Sequence, residues 1–167
     1  MAPDLTLRHT TVTTPFGPFT IVASGDGVVA TTTGDARELV DELARRLGVA
    51  SRVAALRAAT RDLERYFTGD RGPFRAPVDL RLARTPFARE VLEVTRTIPY
   101  GELWTYGDVA AAAGRPGAAR GAGSALAHCP IELFVPCHRV VPAGPGLGSY
   151  GGADDRRATL LRLEGAI

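Results

Sequence analysis

The chain has 167 residues, 45% of them apolar, which suits one domain of ordinary size or two small lobes that share a core. Its formal charge is only +2, because eighteen acids nearly balance twenty basic residues that are all Arg, and this excludes a global basic field for nucleic acid. No stretch approaches the roughly 18 unbroken apolar residues of a membrane span, and the first residues lack a signal-peptide pattern, so we expect a cytoplasmic protein without a membrane partner.

The first part of the chain predicts an antiparallel meander followed by helices. Runs rich in β-forming residues alternate with Pro/Gly turns, and two later segments have apolar residues at helical spacing, the first of them ending at Gly48. The predicted elements are strands at 10–14, 19–23 and 28–30, helices at 35–47 and 52–67, and a strand at 74–82. We therefore expect residues 1–80 to form a structural N-terminal lobe, a small sheet with helices.

The second part, residues 81–167, predicts a mainly helical lobe. A helix over 87–94 stops before the turn signal Ile98-Pro99-Tyr100-Gly101. Thr105-x-x-Asp108 has the pattern of a capping box that opens a short helix through Ala113, and a second helix follows over about 117–127. Two short helices joined by a Gly/Pro turn predict a helix-turn-helix, so the fold class is α/β of the α+β kind.

The second helix of the pair contains Gly121 and Gly123, each of which costs about 1 kcal/mol in a helix relative to Ala. Close approach to another surface explains them, and that surface is either the first helix of the pair or DNA. Arg120 is the one long side chain among small ones. Such a helix suits a shallow groove and one probing residue better than readout of the major groove, which normally uses several long polar side chains.

Cys137 is the candidate nucleophile. It follows the apolar run 131–135, predicted to be a buried strand, and His138 stands beside it as a base. A free thiol with a pKa of about 8.5 is mostly protonated at neutral pH, so reactivity requires such a partner, and Glu164 is a candidate to orient the imidazole. Many free cysteines are inert core residues, and Cys, His and Glu also serve hydrolases and redox enzymes.

The remaining composition points to reduced thiols without a metal or cofactor. Cys129 and Cys137 are the two cysteines, and the three scattered histidines lack the spacing of a zinc site. A Gly-rich loop at 145–152 carries Tyr150, and Tyr106 begins the first helix of the pair. Both hydroxyls are candidates to face a pocket for a flat ligand, with ordinary core packing as the alternative.

Several segments together indicate a family. They are Ile98-Pro99-Tyr100-Gly101, Tyr106-Gly107, Ala118-Ala119-Arg120, Pro136-Cys137-His138-Arg139-Val140, Tyr150-Gly151-Gly152 and Leu160-Leu161-x-x-Glu164. In this order and spacing they resemble the O6-alkylguanine-DNA alkyltransferase family over residues 86–165, and the first lobe loosely resembles its small N-terminal domain. The resemblance implies a monomer that needs no cofactor. It also implies irreversible, single-turnover transfer of the alkyl group from O6-alkylguanine, and from O4-alkylthymine, in double-stranded DNA to Cys137.

The resemblance also implies roles for individual residues. Cys137 attacks the alkyl carbon, His138 takes the thiol proton through a water, and Glu164 holds the imidazole. Tyr106 protonates the departing guanine at N3. The helix over 117–127 enters the minor groove, where Arg120 fills the gap left by a guanine rotated out of the stack. The other implied contacts to DNA or to the base are those of Ala119, Ser124, the Val140 backbone, Tyr150 and Gly151.

Some positions depart from the family pattern. Cys129 stands where an Asn usually ties the end of the DNA-binding helix to the backbone near the reactive cysteine, and a thiol is a poorer hydrogen-bonding group. Glu132 occupies a position at the pocket mouth that is commonly small or apolar, where its charge would raise the pKa of Cys137 or repel phosphate. Ala88 and Leu92 replace a commonly polar and a commonly aromatic residue, which we attribute to packing.

Two alternatives follow from these observations. The first is a non-enzymatic damage-binding protein of the alkyltransferase-like kind, which lacks a reactive cysteine, so that Cys137 argues against it. The second is a cysteine hydrolase built on Cys137, His138 and Glu164, which would need turnover and an oxyanion hole.

Overall fold

The structure is a computed structural model that describes residues 6–34, 36–148 and 154–167. The chain divides into two compact units. The first holds the residues up to Asp70 together with Phe74–Arg81, and the second holds Arg71–Pro73 and Leu82–Ile167. The combination of a sheet-containing first unit with a mainly helical second unit confirms the predicted mixed fold class.

A four-stranded sheet forms the centre of the first unit. Its strands are β1 (Leu7–Thr14), β2 (Gly17–Ala23), β3 (Val28–Thr33) and β4 (Ser51–Val53), in the spatial order β3-β2-β1-β4. The first three form the predicted antiparallel meander. The turn between β1 and β2 requires Gly17 at a φ of +95°, and side chains of β2 such as Ile21 and Val22 are fully buried in the core.

Two helices accompany the sheet in the part of the first unit that the structure describes. Helix α1 (Arg37–Leu47) ends at Gly48 in the left-handed conformation, as predicted, whereas Asp35, where the prediction began, lies outside the described residues. Helix α2 (Arg57–Phe67) is shorter than predicted. The helix predicted from residue 52 is wrong at its start because the segment of β4 pairs in parallel with β1 instead.

The strand predicted over 74–82 is also wrong. Within the described chain this segment makes one isolated bridge, from Val28 to Val78, and no strand. The reason is the buried carboxylate of Asp62, which accepts hydrogen bonds from the backbone N–H groups of Arg75 (2.8 Å) and Ala76 (2.7 Å). Because a side chain from α2 satisfies these donors, the segment needs no neighbouring strand.

The described residues of the second unit contain four α-helices and two short strands. They are α3 (Pro86–Thr95), β5 (Trp104–Thr105), α4 (Tyr106–Ala112), α5 (Ala119–Ala127), β6 (Val140–Val141) and α6 (Asp154–Leu163). The predicted capping box is confirmed, since the Thr105 hydroxyl accepts from the Asp108 N–H and the Asp108 carboxylate accepts from the Thr105 N–H. The helix pair is thus α4 and α5. In the described residues no helix has the length and apolar content to cross a bilayer.

Candidate active site in the second unit

Cys137 is presented by a turn rather than by the end of a strand. The run 131–135, predicted to be a strand, reverses direction: Leu133 has a φ of +71°, and the Val135 N–H donates to the Ile131 carbonyl at 3.0 Å. Its apolar side chains are buried as expected, but burial accompanies a buried turn as well as a strand. Cys137 then begins a single turn of 3-10 helix, Cys137–Arg139, with 3% of its surface exposed.

His138 and Glu164 form a buried pair. Nε2 of His138 lies 2.7 Å from Oε1 of Glu164, and the two residues are 1% and 5% exposed. Burial lowers the pKa of His138 despite the attraction of Glu164, so the imidazole is neutral at neutral pH. A neutral imidazole that donates from Nε2 to the carboxylate has its basic lone pair on Nδ1.

Glu164 is held by more donors than sequence reasoning identified. The Arg139 guanidinium donates to both carboxylate oxygens (2.9 and 3.0 Å) and also to the Ile98 carbonyl (2.7 Å), and the Gly101 N–H donates to Oε2 (3.1 Å). Although burial alone would raise the pKa of Glu164, the hydrogen bonds from His138 and Arg139 lower it from 4.5 to about 2. The carboxylate is therefore ionised across the physiological range.

Gly101 and Arg139 had signals in the sequence that were assigned no role at the site. Gly101 was interpreted as part of a turn, and it does adopt a φ of +83°. A Cβ at this position would lie 3.1 Å from the Glu164 carbonyl oxygen, so the glycine also permits the close approach of the Glu164 backbone. Arg139 was one residue of a quoted motif, and its contacts with residues 41 and 25 positions away were invisible to local patterns.

An open cavity of about 830 Å³ lies over Cys137. Four of the residues predicted for the site line it, namely Cys137, Tyr106, Ala119 and Arg120. His138, Glu164, Val140 and Ser124 do not belong to its lining. Tyr150 and Gly151 lie outside the described residues, as does the second half of the predicted loop at 145–152. The cavity therefore extends from the thiol along α5, from Ala119 to Ala127.

Cys137 is protonated at rest. A hydrogen bond with Cys129, burial, and the charge of nearby Glu132 raise the pKa of the Cys137 thiol well above its usual value. The geometry agrees with the thiol form, since Sγ donates to the Val135 carbonyl at 3.4 Å. Reaction at this sulfur therefore requires a base, and His138 adjoins it in the chain.

Glu132 at the cavity wall is paired with a cation. Its carboxylate lies 2.9 Å from the guanidinium of Arg156, and both side chains are largely buried. The pairing offsets the repulsion of phosphate that the sequence alone predicts for an unpaired Glu132. It does not remove the effect of Glu132 on Cys137, whose pKa it still raises.

The glycines of α5 have different neighbours. A Cβ on Gly121 would lie 3.1 Å from the ring of Phe87 on α3, so tight packing accounts for this glycine, although against α3 rather than the first helix of the pair. A Cβ on Gly123 would lie 3.8 Å from the Tyr106 ring, which is ordinary contact. Arg120, which lies between Ala119 and Gly121 in the helix, is exposed.

The second unit thus belongs to the class of proteins in which a buried cysteine, paired in the chain with a histidine bound to a carboxylate, lies beside a helix pair. Comparison with known sequences gives the family. Residues 86–166 match the DNA binding domain of 6-O-methylguanine DNA methyltransferase, and residues 7–80 match its ribonuclease-like domain. The chain belongs to the 6-O-methylguanine DNA methyltransferase family.

Individual relatives agree along nearly the whole chain. The methylated-DNA–protein-cysteine methyltransferase of Mycolicibacterium paratuberculosis is 39% identical over 160 residues, covering 95% of this chain and 92% of the relative. The crystal structure of Mycobacterium tuberculosis O6-methylguanine methyltransferase has a TM-score of 0.78 at 35% identity, covering 96% of this chain and 93% of that one. A structure of the M. tuberculosis protein in complex with DNA has the same TM-score and identity, covering 94% and 92%.

Proposed function

We propose that this protein repairs double-stranded DNA by moving the alkyl group of O6-alkylguanine, and of O4-alkylthymine, irreversibly to Cys137 in a single turnover. Membership of the family makes the chain a methylated-DNA–protein-cysteine methyltransferase, an enzyme of direct damage reversal. The observation that carries the assignment to Cys137 is its position. The thiol lies in the wall of the cavity beside α5 and adjoins a histidine hydrogen-bonded to a carboxylate.

The reaction begins with removal of the Cys137 proton. The neutral His138 accepts it through a water, and Glu164 stabilises the imidazolium that forms. The sulfur then displaces guanine from the alkyl carbon: a C–S bond forms, the C–O6 bond breaks, and its electron pair goes to the base. Tyr106, at the cavity wall, donates a proton to N3 of the departing guanine. The thioether product has no leaving group, so each molecule acts once.

Arg139 is a positioning residue in this scheme. It fixes both oxygens of Glu164 and anchors them to the Ile98 carbonyl, so that the carboxylate cannot rotate away from His138. Because the pKa of Cys137 is raised, the resting thiol is not a nucleophile until its proton has been accepted. Accepting that proton is the function of the hydrogen-bonded network of His138, Glu164 and Arg139.

DNA binding is assigned to the second unit. Helix α5 enters the minor groove of a duplex, and the exposed Arg120 fills the space left when the damaged guanine rotates into the cavity. The side chains of Ala119 and Ser124 are small, so the helix can approach the DNA backbone closely. The Val140 backbone reads the exocyclic amine of the base, although its N–H is engaged with the Cys137 carbonyl in the resting protein. Tyr150 and Gly151 frame the base.

The two lobes divide the work. We assign a structural role to residues 1–80 and DNA binding with alkyl acceptance to residues 81–167. The protein acts as a monomer in the cytoplasm, without a cofactor or a membrane partner.

The decisive experiment uses a duplex that contains one O6-methylguanine. After incubation, intact mass and peptide mapping should show a single methyl group on Cys137. Cys137→Ala should bind the same duplex and gain no methyl. Tight binding by the unmodified protein with no change in mass would establish a damage sensor instead, and repeated turnover on an ester or peptide would establish a hydrolase. A methyl group gained by Cys137→Ala would move the acceptor to Cys129.

A further inference from the structure

The cavity holds a second thiol for which the alkyl-transfer scheme has no use. Cys129 follows the end of α5, where its N–H donates to the Leu126 carbonyl at 3.1 Å. Its side chain is half-buried and lines the same cavity as Cys137. Cys129 lies close enough to Cys137 to raise the pKa of its thiol, and both cysteines are free.

The fold explains why two cysteines eight positions apart meet. The chain between them reverses inside the second unit, where Val135 donates to Ile131 and Leu133 adopts a positive φ. This reversal returns the backbone to the wall from which it left, so that Cys137 faces the end of α5. A disulfide requires that the two side chains point towards a common space, and the shared cavity supplies that space.

We propose that Cys129 and Cys137 are an oxidant-sensitive dithiol, which a hydroperoxide converts reversibly into an intramolecular disulfide. The Cys129 sulfur attacks one peroxide oxygen, the O–O bond breaks, and the products are a sulfenic acid and water or an alcohol. Cys137, deprotonated by His138, then attacks the Cys129 sulfur; the S–S bond forms, the S–O bond breaks, and the sulfenic oxygen leaves as water with the proton that His138 accepted. One equivalent of hydroperoxide is reduced by two electrons for each pair of thiols.

Exposure decides the order of these steps. Cys129 is the less buried residue, whereas Cys137 is 3% exposed and its thiol is already donating to the Val135 carbonyl. The oxidant therefore meets Cys129 first, and Cys137 acts as the resolving thiol. This order protects Cys137 from direct oxidation to sulfinic acid, a state that thiol reductants do not reverse.

The consequence for repair rests on the proposed function. A Cys137 sulfur held in a disulfide cannot become a thiolate, which is the nucleophile that attacks the alkyl carbon, so transfer stops until a thiol reductant restores the two thiols. For an acceptor that is used once, a reversible block preserves the molecule where irreversible oxidation would waste it.

The test uses the reduced full-length protein, limiting hydrogen peroxide, intact mass and non-reducing peptide mapping. We expect the loss of two hydrogens, a cross-linked peptide that joins the two cysteines, and full reversal by dithiothreitol. Cys129→Ser, checked for an unchanged thermal midpoint, should form no cross-link and should gain oxygen on Cys137 at higher peroxide. Cys137→Ser should gain oxygen on Cys129 at low peroxide.

Two results would overturn the proposal: oxygen addition to the wild-type protein without a cross-link, or a disulfide that joins two molecules instead of one. Transfer to a methylated duplex is measured separately, before oxidation, after oxidation and after reduction. If the reduced protein transfers no methyl, the proposed function fails while the mass result still decides the disulfide. If the oxidised, cross-linked protein transfers at the full rate, the inhibitory role is refuted.

Discussion

Replacing Glu164 with Gln isolates the charge at the centre of the buried network. The side chain keeps its size, but Arg139 and His138 lose the anion to which they are hydrogen-bonded. The fall of the Glu164 pKa from 4.5 to about 2 corresponds to about 3 kcal/mol of folding free energy. This lies within the range of about 3–5 kcal/mol expected when one partner of a buried ion pair is removed.

The effect has a defined dependence on pH. Because the pKa of Glu164 is lower in the folded protein than in the unfolded chain, its contribution is fully present above about pH 4.5 and is lost as the pH falls towards 2. The difference in unfolding free energy between the wild type and Glu164→Gln should therefore be about 3 kcal/mol at pH 6 and should shrink as the pH approaches 2.

Urea unfolding at a series of pH values measures this difference. Glu93→Gln is the matched control, since Glu93 pairs with Arg89 at 3.3 Å on the surface of the same unit and its loss should cost less than about 1 kcal/mol at any pH. A difference for Glu164→Gln that stays constant between pH 6 and 2, or that equals the control, would refute the assignment of this stability to the buried charge.

Three further predictions follow from the site. Gly101→Ala should cost about 2–3 kcal/mol in thermal or urea unfolding, because it combines a φ of +83° with a carbonyl oxygen 3.1 Å from the new Cβ. Gly114→Ala, at a φ of +85° with nothing within 4 Å, should cost only about 1–2 kcal/mol, and equal losses would contradict the steric argument. Cys129→Ser should lower the pKa of Cys137, seen as an iodoacetamide rate profile moved to lower pH, and an unmoved profile would show that Cys129 does not set that pKa. Arg120→Ala should slow methyl transfer from duplex DNA more than from single-stranded DNA in single-turnover assays, since extrusion costs a few kcal/mol only in the duplex; equal slowing would remove Arg120 from that step.

Signals confined to a few neighbouring residues predicted the fold well. The capping box at Thr105 and Asp108 and the helix stop at Gly48 are local chemistry, and both are present in the structure. The segment after residue 74 shows where such reasoning fails. Its alternating apolar residues fit a strand. However, the backbone N–H groups of Arg75 and Ala76 donate instead to the carboxylate of Asp62, which lies 13 and 14 positions earlier in the chain. A periodicity cannot reveal a partner at that distance.

At the site, too, local residue types were informative, whereas contacts between distant residues were not. Residue types and their order predicted Cys137, His138 and Glu164, because a thiol, a base and a carboxylate are what nucleophilic chemistry requires. The Arg139 guanidinium and the Gly101 N–H on Glu164 were missed, since both contacts join distant parts of the chain. Cys129 was recognised as a departure from the family, but its contact with Cys137 depends on the reversal that replaced the predicted strand.

The hydrogen bonds on Glu164 have a consequence for the order of folding. They join residues 25, 26 and 63 positions apart, and closing such loops costs more entropy than closing a helical turn. The helices can form early, whereas this network can close only after the segment that carries Glu164 has docked. Until then the imidazole of His138 has no buried carboxylate, and Cys137 behaves as an ordinary thiol. Methyl-transfer activity should therefore appear only when this network closes, and the rate at which the refolding protein gains that activity measures the rate of closure.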